Sequence, residues 1–104
     1  MASYTERRRA GSKSQSLNVM VACDLIDIHK LRVRWSDNID TADFTLGMFE
    51  TNNGAVPLTL NQVSAGAADL TFGPDISGET TLTFGQFAPP PATYFFPQTI
   101  QITK

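Results

Sequence analysis

Residues 29–35, His-Lys-Leu-Arg-Val-Arg-Trp, hold the cleanest alternation in the chain. Leu31, Val33 and Trp35 fall on one side of a period-2 strand, and Lys30, Arg32 and Arg34 on the other. That pattern predicts a strand with one face on a core and a basic face turned outward. Upstream, Leu17, Val19, Val21, Cys23 and Leu25 alternate with Asn18, Met20, Ala22, Asp24 and Ile26, so the odd positions are expected to face inward. Asp27 and Ile28 lead into the next strand through a bend or bulge. After a polar stretch, Phe44, Leu46 and Met48 form a further apolar face, with Thr45, Gly47 and Phe49 opposite.

Asn52-Asn53-Gly54 is a tight-turn signal, because Asn and Gly tolerate positive φ. It is expected to return the chain into a strand carrying Val56, Leu58 and Leu60. Pro57 in that run cannot donate a ladder hydrogen bond, which predicts an edge strand. Ala68, Leu70 and Phe72 share a face between two Gly-bearing turns, and Leu82 and Phe84 alternate with Thr81 and Thr83. Pro89, Pro90 and Pro91 make a stiff connector. Residues 94–96 and 99–103 close the pattern, with Ile100 and Ile102 inward. No segment has helical periodicity. Seven or eight short strands with regular turn signals predict an all-β, antiparallel β-sandwich.

Length and charge refine this picture. A chain of 104 residues without internal repeats is one domain. Residues 1–16 are polar and aperiodic, and read as a flexible basic arm ahead of a sandwich at 17–104. Arg7, Arg8, Arg9 and Lys13 face only Glu6 there, a balance of +3, whereas the remainder of the chain carries −5. One cysteine excludes an internal disulfide and points to a reducing compartment. No apolar run has the length of a signal peptide or a membrane span, so no membrane association is expected.

Candidate chemistry is sparse. His29 is the only histidine, and nothing ties it to a nucleophile, so it reads as an ordinary strand-start residue. Cys23 sits on an inward face and reads as an inert core thiol. Asp37, Asn38, Asp40 and Asp43 crowd one loop. Their oxygens suit calcium, but EF-hand spacing and its glycine are missing, and Asx-turns explain them better. No cofactor is implied. Lys30, Arg32 and Arg34, with Arg7, Arg8, Arg9 and Lys13, are the candidate partner-binding set. Cross-strand pairing of the stripe with acidic neighbours is the plainer reading. A nucleic-acid role is disfavoured by the acidic body and by the absence of aromatics interleaved on that face. Phe49, Phe87, Tyr94, Phe95 and Phe96 exceed the needs of one core, and Phe49, Phe87, Tyr94 and Phe95 are candidate exposed contacts.

Three landmarks carry a family resemblance. Cys23 is followed twelve residues later by Trp35, and Ala92-Thr93-Tyr94-Phe95-Phe96 lies near the end. This resembles an immunoglobulin domain, with its strand-B cysteine, strand-C tryptophan and Ala-x-Tyr-x-Cys tyrosine corner. Phe96 stands where the second cysteine would be, and Pro90 or Pro91 where that motif usually has Asp. The resemblance implies that Phe96 fills core volume beside Cys23 and Trp35, and that Tyr94 bonds back to the turn. It also implies a non-enzymatic contact module, of the kind found as capsid decoration or accessory proteins of phage-type virions. Its expected partners are capsid or other virion subunits, with a homo-oligomer possible, and its expected location is the virion, assembled in the host cytoplasm. The alternative is a carbohydrate- or surface-binding module using Tyr94, Phe95 or Trp35 as a stacking platform.

Overall fold

The computed structural model describes residues 16–85, 93–95 and 97–104. The arm residues Arg7, Arg8, Arg9 and Lys13, and also Phe87 and Phe96, lie outside the described residues; Tyr94 and Phe95 are described for their backbone alone. Nine strands lie among the described residues: β1 (Ser16–Asn18), β2 (Met20–Asp27), β3 (Lys30–Trp35), β4 (Phe49–Thr51), β5 (Thr59–Ser64), β6 (Ala67–Thr71), β7 (Thr81–Phe84), β8 (Thr93–Phe95) and β9 (Gln98–Gln101). They form a four-stranded antiparallel sheet, β2-β3-β6-β5, and a three-stranded antiparallel sheet, β9-β7-β4. β1 and β8 pair in parallel.

Taken in chain order, the two larger sheets reproduce the A-B-E-D and G-F-C arrangement of a constant-type immunoglobulin domain. The fold is therefore an immunoglobulin-like β-sandwich. The landmarks, however, belong to other strands than the resemblance implied. Cys23 lies on β2, the A position, and Trp35 on β3, the B position, as hydrogen-bonded neighbours of one sheet. The strand in the F position is β7, so Tyr94 on β8 does not occupy a tyrosine corner.

The core fills from both sheets. Leu31, Val33 and Trp35 of β3 and Ala68 and Leu70 of β6 face Phe49 of β4 and Leu82 and Phe84 of β7, all buried. Trp35 stacks on Phe44 at 5.2 Å between centroids and meets Phe49 edge-on at 6.3 Å. Phe44 in turn meets Phe84 edge-on at 5.8 Å. These offset and edge-to-face contacts join the sheets with quadrupole-matched geometry.

β2 has eight residues against six in β3, and bulges take up the difference. The register skips between Met20 and Ala22 and again between Leu25 and Asp27, leaving Val21 and Ile26 as the extra, exposed positions. This corrects the expected odd-inward alternation: Met20 is buried opposite Trp35, and Val21 faces out. Two 3-10 turns, Thr41–Asp43 and Leu46–Met48, replace the strand expected around Phe44. Their tighter rhythm lets Phe44, Met48 and Phe49 all point inward. The Asn-Asn-Gly turn is present, with Gly54 at φ 87°, but the chain then crosses to the other sheet instead of forming a hairpin. β5 is an edge strand, as Pro57 predicted, yet it starts at Thr59 and leaves Val56 and Leu58 exposed.

Two devices close the β2 edge. The Gln98 side-chain amide imitates a strand, accepting from Met20 N–H at 2.7 Å and donating to its carbonyl at 3.0 Å. Further on, Thr103 runs parallel to β2, donating to the Cys23 carbonyl and accepting from Leu25 N–H. At the opposite end of the sandwich from the β2–β3 turn, the fully buried Asn18 side chain pins the 36–38 loop. It donates to the carbonyls of Asp37 and Asn38 and accepts from Ser36 Oγ and Asp37 N–H. Its amide is thereby saturated, as burial demands.

Trp35→Ala is expected to cost about 3–5 kcal/mol in urea unfolding, because it opens a cavity between the sheets. Val63→Ala on the exposed side of β5 should stay within about 0.5 kcal/mol. Equal costs would mean that the ring cluster does not carry the packing assigned to it.

Candidate functional site

The basic stripe lies on the outer face of the four-stranded sheet, and register decides what it meets. Arg32 stands between Asp24 on β2 and Asp69 on β6. Its guanidinium forks onto Asp69, Nε to Oδ1 at 2.8 Å and Nη2 to Oδ2 at 3.1 Å. Arg34 Nη2 reaches Asp24 Oδ2 at 3.1 Å. Planar two-point pairing holds the Arg32 charge in place and takes up the carboxylate that faces it. Lys30 is half-buried and enters no ion pair among the described residues. The face is thus a laced, mixed-charge surface, with two of its three cations engaged internally.

Other candidates separate. Phe49 is completely buried and makes no exposed contact; the irregular turn before it rotates it into the core. Trp35 is 6% exposed, which removes it as a stacking platform. Asp40 Oδ1 accepts from Ala42 N–H and caps a 3-10 turn, and Asp37 Oδ1 accepts from Asn38 N–H. Asp37, Asp40 and Asp43 do not converge: no three His, Cys, Asp or Glu side chains among the described residues gather as a metal site would require. His29 Nδ1 is bonded to the Pro74 carbonyl at 3.0 Å. Cys23 is fully buried, and desolvation, with a smaller effect from Asp24, pushes its thiol up to about 12. A thiol so placed is protonated at neutral pH and is a poor nucleophile.

The structure adds a cleft that the sequence did not disclose. It opens between the Asn52-Asn53-Gly54 turn and the loop that follows β6, with a volume of about 260 Å³. Gly54, Ala55, Pro74, Asp75, Ile76 and Glu79 line it together with Asn53. Glu79 is 7% exposed, yet its carboxylate stays ionised. Hydrogen bonds from Thr51 and from the Asn53 side chain and backbone N–H hold its pKa below the ordinary value of about 4.5. Asp75 is likewise held low by the Ser77 side chain and backbone N–H. Both turns were legible as turns, but their convergence at one end of the sandwich depends on the sheet crossover after β4.

No protein-family model matches the chain, and no curated protein matches it. Among solved structures, the N-terminal part of the bacterial S-layer protein SbsC is similar, with a TM-score of 0.68 and 18% identity over 84% of this chain. The S-layer protein rSbsC(31-844) is similar at the same TM-score and identity over 85% of this chain. A structure of domains 1–6 of surface layer protein SbsC matches at 17% identity, again with a TM-score of 0.68. The chain spans only 23% of the first structure and 14% of the other two. At this identity the likeness is one of fold.

Two solution measurements follow. A thiol reagent such as DTNB should leave Cys23 untouched in the native protein at pH 8 and titrate it once the chain is unfolded; rapid native labelling would contradict its burial. Because the folded pKa of Glu79 lies below its unfolded value, the unfolded chain binds that proton more tightly. Its contribution to stability is therefore complete above about pH 4.5 and is lost as the pH falls through the folded value. Glu79→Gln should lower stability at pH 7 and flatten the acid limb of a plot of urea midpoint against pH.

Proposed function

We propose that this chain is a non-enzymatic building module of an extended protein shell or surface layer, acting through contacts with other subunits. The observation that carries this reading is the fold likeness to S-layer structures, in which a body of this kind is one part of a much longer chain. Fold alone does not assign function, so the chemistry of the surface must agree with it. It does so on three counts. The one thiol is buried, the one imidazole is bonded to a backbone carbonyl, and the broad charged face is satisfied largely from within.

The narrower form of the proposal is a decoration or accessory protein of a phage-type virion, assembled in the host cytoplasm and bound to capsid subunits. The segment bearing Arg7, Arg8, Arg9 and Lys13 ahead of an acidic body favours it, because such a segment can engage an acidic neighbour. Arg7, Arg8, Arg9, Lys13 and Lys30 are the cations this reading assigns to partner contact.

Light scattering of the full chain across a concentration series tests the proposal, together with negative-stain imaging. The expected result is a mass that climbs above the 11.4 kDa monomer and ordered rows, rings or sheets in the images. A monomer at every concentration that binds a glycan saturably would overturn it in favour of a carbohydrate-binding module.

A further inference from the structure

The two ends of the sandwich differ in kind. At one end Asn18 ties the loop 36–38 to β1, and the described chain begins there at Ser16. At the other lie the β2–β3 turn, the loop after β6 and the acidic cleft, since Ile76 N–H bonds to the Ile28 carbonyl and Pro74 to His29. Three apolar side chains are exposed around this second end: Ile28 at 48%, Val56 at 42% and Leu58 at 62%. Leu58 packs along the segment that leads into the cleft, since its Cδ1 lies 3.4 Å from where a Gly73 Cβ would stand. The Glu50 carboxylate lies 3.5 Å from the corresponding point on Gly54. Asp75 and Glu79 thus line the cleft, Glu50 approaches it beside Gly54, and Lys104 is bonded to the Ser77 carbonyl nearby.

From this asymmetry we infer that the apolar-walled acidic cleft receives the arginine segment, residues 7–9, of a second copy of the chain, joining copies end to end. The inference rests on the building-module reading and names its partner.

Size and charge select this occupant. A cleft of about 260 Å³ falls below the ~300–1,000 Å³ typical of small-molecule pockets, which suits a side chain better than a whole ligand. The Asp75 and Glu79 carboxylates are bonded chiefly to neutral donors, so a guanidinium gains Coulomb energy without displacing an existing ion pair. Ala55, Pro74 and Ile76 offer apolar wall to the methylene stem of an arginine, which buries its carbons while its head stays polar.

Reach selects a second copy over the same molecule. Arg9 is seven residues before Ser16, which allows at most about 25 Å of extended chain. β2 alone, with eight residues, spans about 26 Å from the end near Ser16 toward the cleft. With its side chain added, Arg9 reaches its own cleft only when the intervening segment is drawn out almost fully, at a cost in chain entropy, whereas a copy stacked end to end brings a cleft to the root of the segment.

The test uses the full chain with the triple substitution R7E/R8E/R9E, labelled with ¹⁵N, and an unlabelled peptide of residues 1–15. The peptide is expected to shift the amide signals of Asn53, Gly54, Ala55 and Ile76, with the effect fading as salt is raised. Asp75→Asn combined with Glu50→Gln in that labelled chain should weaken peptide binding about tenfold while leaving the spectrum folded. In sedimentation, the full chain should associate, and R7E/R8E/R9E should raise the concentration needed about tenfold. Shifts confined to the β3 outer face, or no shifts, would overturn the inference. If the chain still builds higher-order assemblies in that case, the building-module reading survives; if it builds none, both fall.

Discussion

Trp35 comes from one sheet and Phe49 and Phe84 from the other, and Phe44 enters from the connecting turns to complete the cluster. A sandwich without a disulfide has no covalent cross-link between its layers, so beyond the chain crossovers and the Gln98 and Thr103 bonds to β2, the layers stay together through what fills the gap. Here four rings at centroid distances of 5.2–6.3 Å do that, with Leu31, Leu70 and Leu82 around them. The requirement to bring Phe44, Met48 and Phe49 into one small volume explains why the chain abandons strand geometry between β3 and β4. A period-2 strand could present only alternate residues to the core; two 3-10 turns present three within six positions.

Much of this was legible in the residue pattern, and the exceptions share a cause. Whereas β6 is buried on both faces from Ala67 to Leu70, the strands around Leu31 and Leu82 alternate cleanly because each has one buried and one more open face, so their inward positions follow directly from sequence. β2 does not, since its bulges at Val21 and Ile26 are set by the length mismatch with β3, a fact about the partner strand. The Asn-Asn-Gly turn is local and was visible, but the sheet to which the chain goes next is a matter of topology. The immunoglobulin architecture was likewise inferred correctly from landmarks that sit one strand away from where the family places them. Cys23 and Trp35 are core residues for the ordinary reason that they lie on inward positions of neighbouring strands.

The candidate site divides along the same line. Alternation was enough to place Lys30, Arg32 and Arg34 on one face. Which of them meets a carboxylate depended on β2 and β6 flanking β3, and so on Asp24 and Asp69 arriving at the Arg32 level. The cleft was further out of reach, because Gly54 and Glu79 are 25 positions apart and meet only through the crossover from β4 to β5. Charge along a sequence shows sign and amount. Strand order decides which charges cancel and which stay available.

The parallel bridge between β2 and Thr103 has a mechanical side. β2 runs away from the end where the N-terminal segment joins, and the last residues run beside it in the same direction. Tension on the two ends of the chain therefore drags β2 and the Thr103 segment in opposite senses along their common axis. The bonds Leu25 N–H to Thr103 and Thr103 N–H to Cys23, both 2.8 Å, are loaded together in shear and cannot be peeled apart one after the other. A body built this way meets a pull between its ends in shear at this edge, where Met20, Cys23 and Ile102 also anchor the two segments in the core.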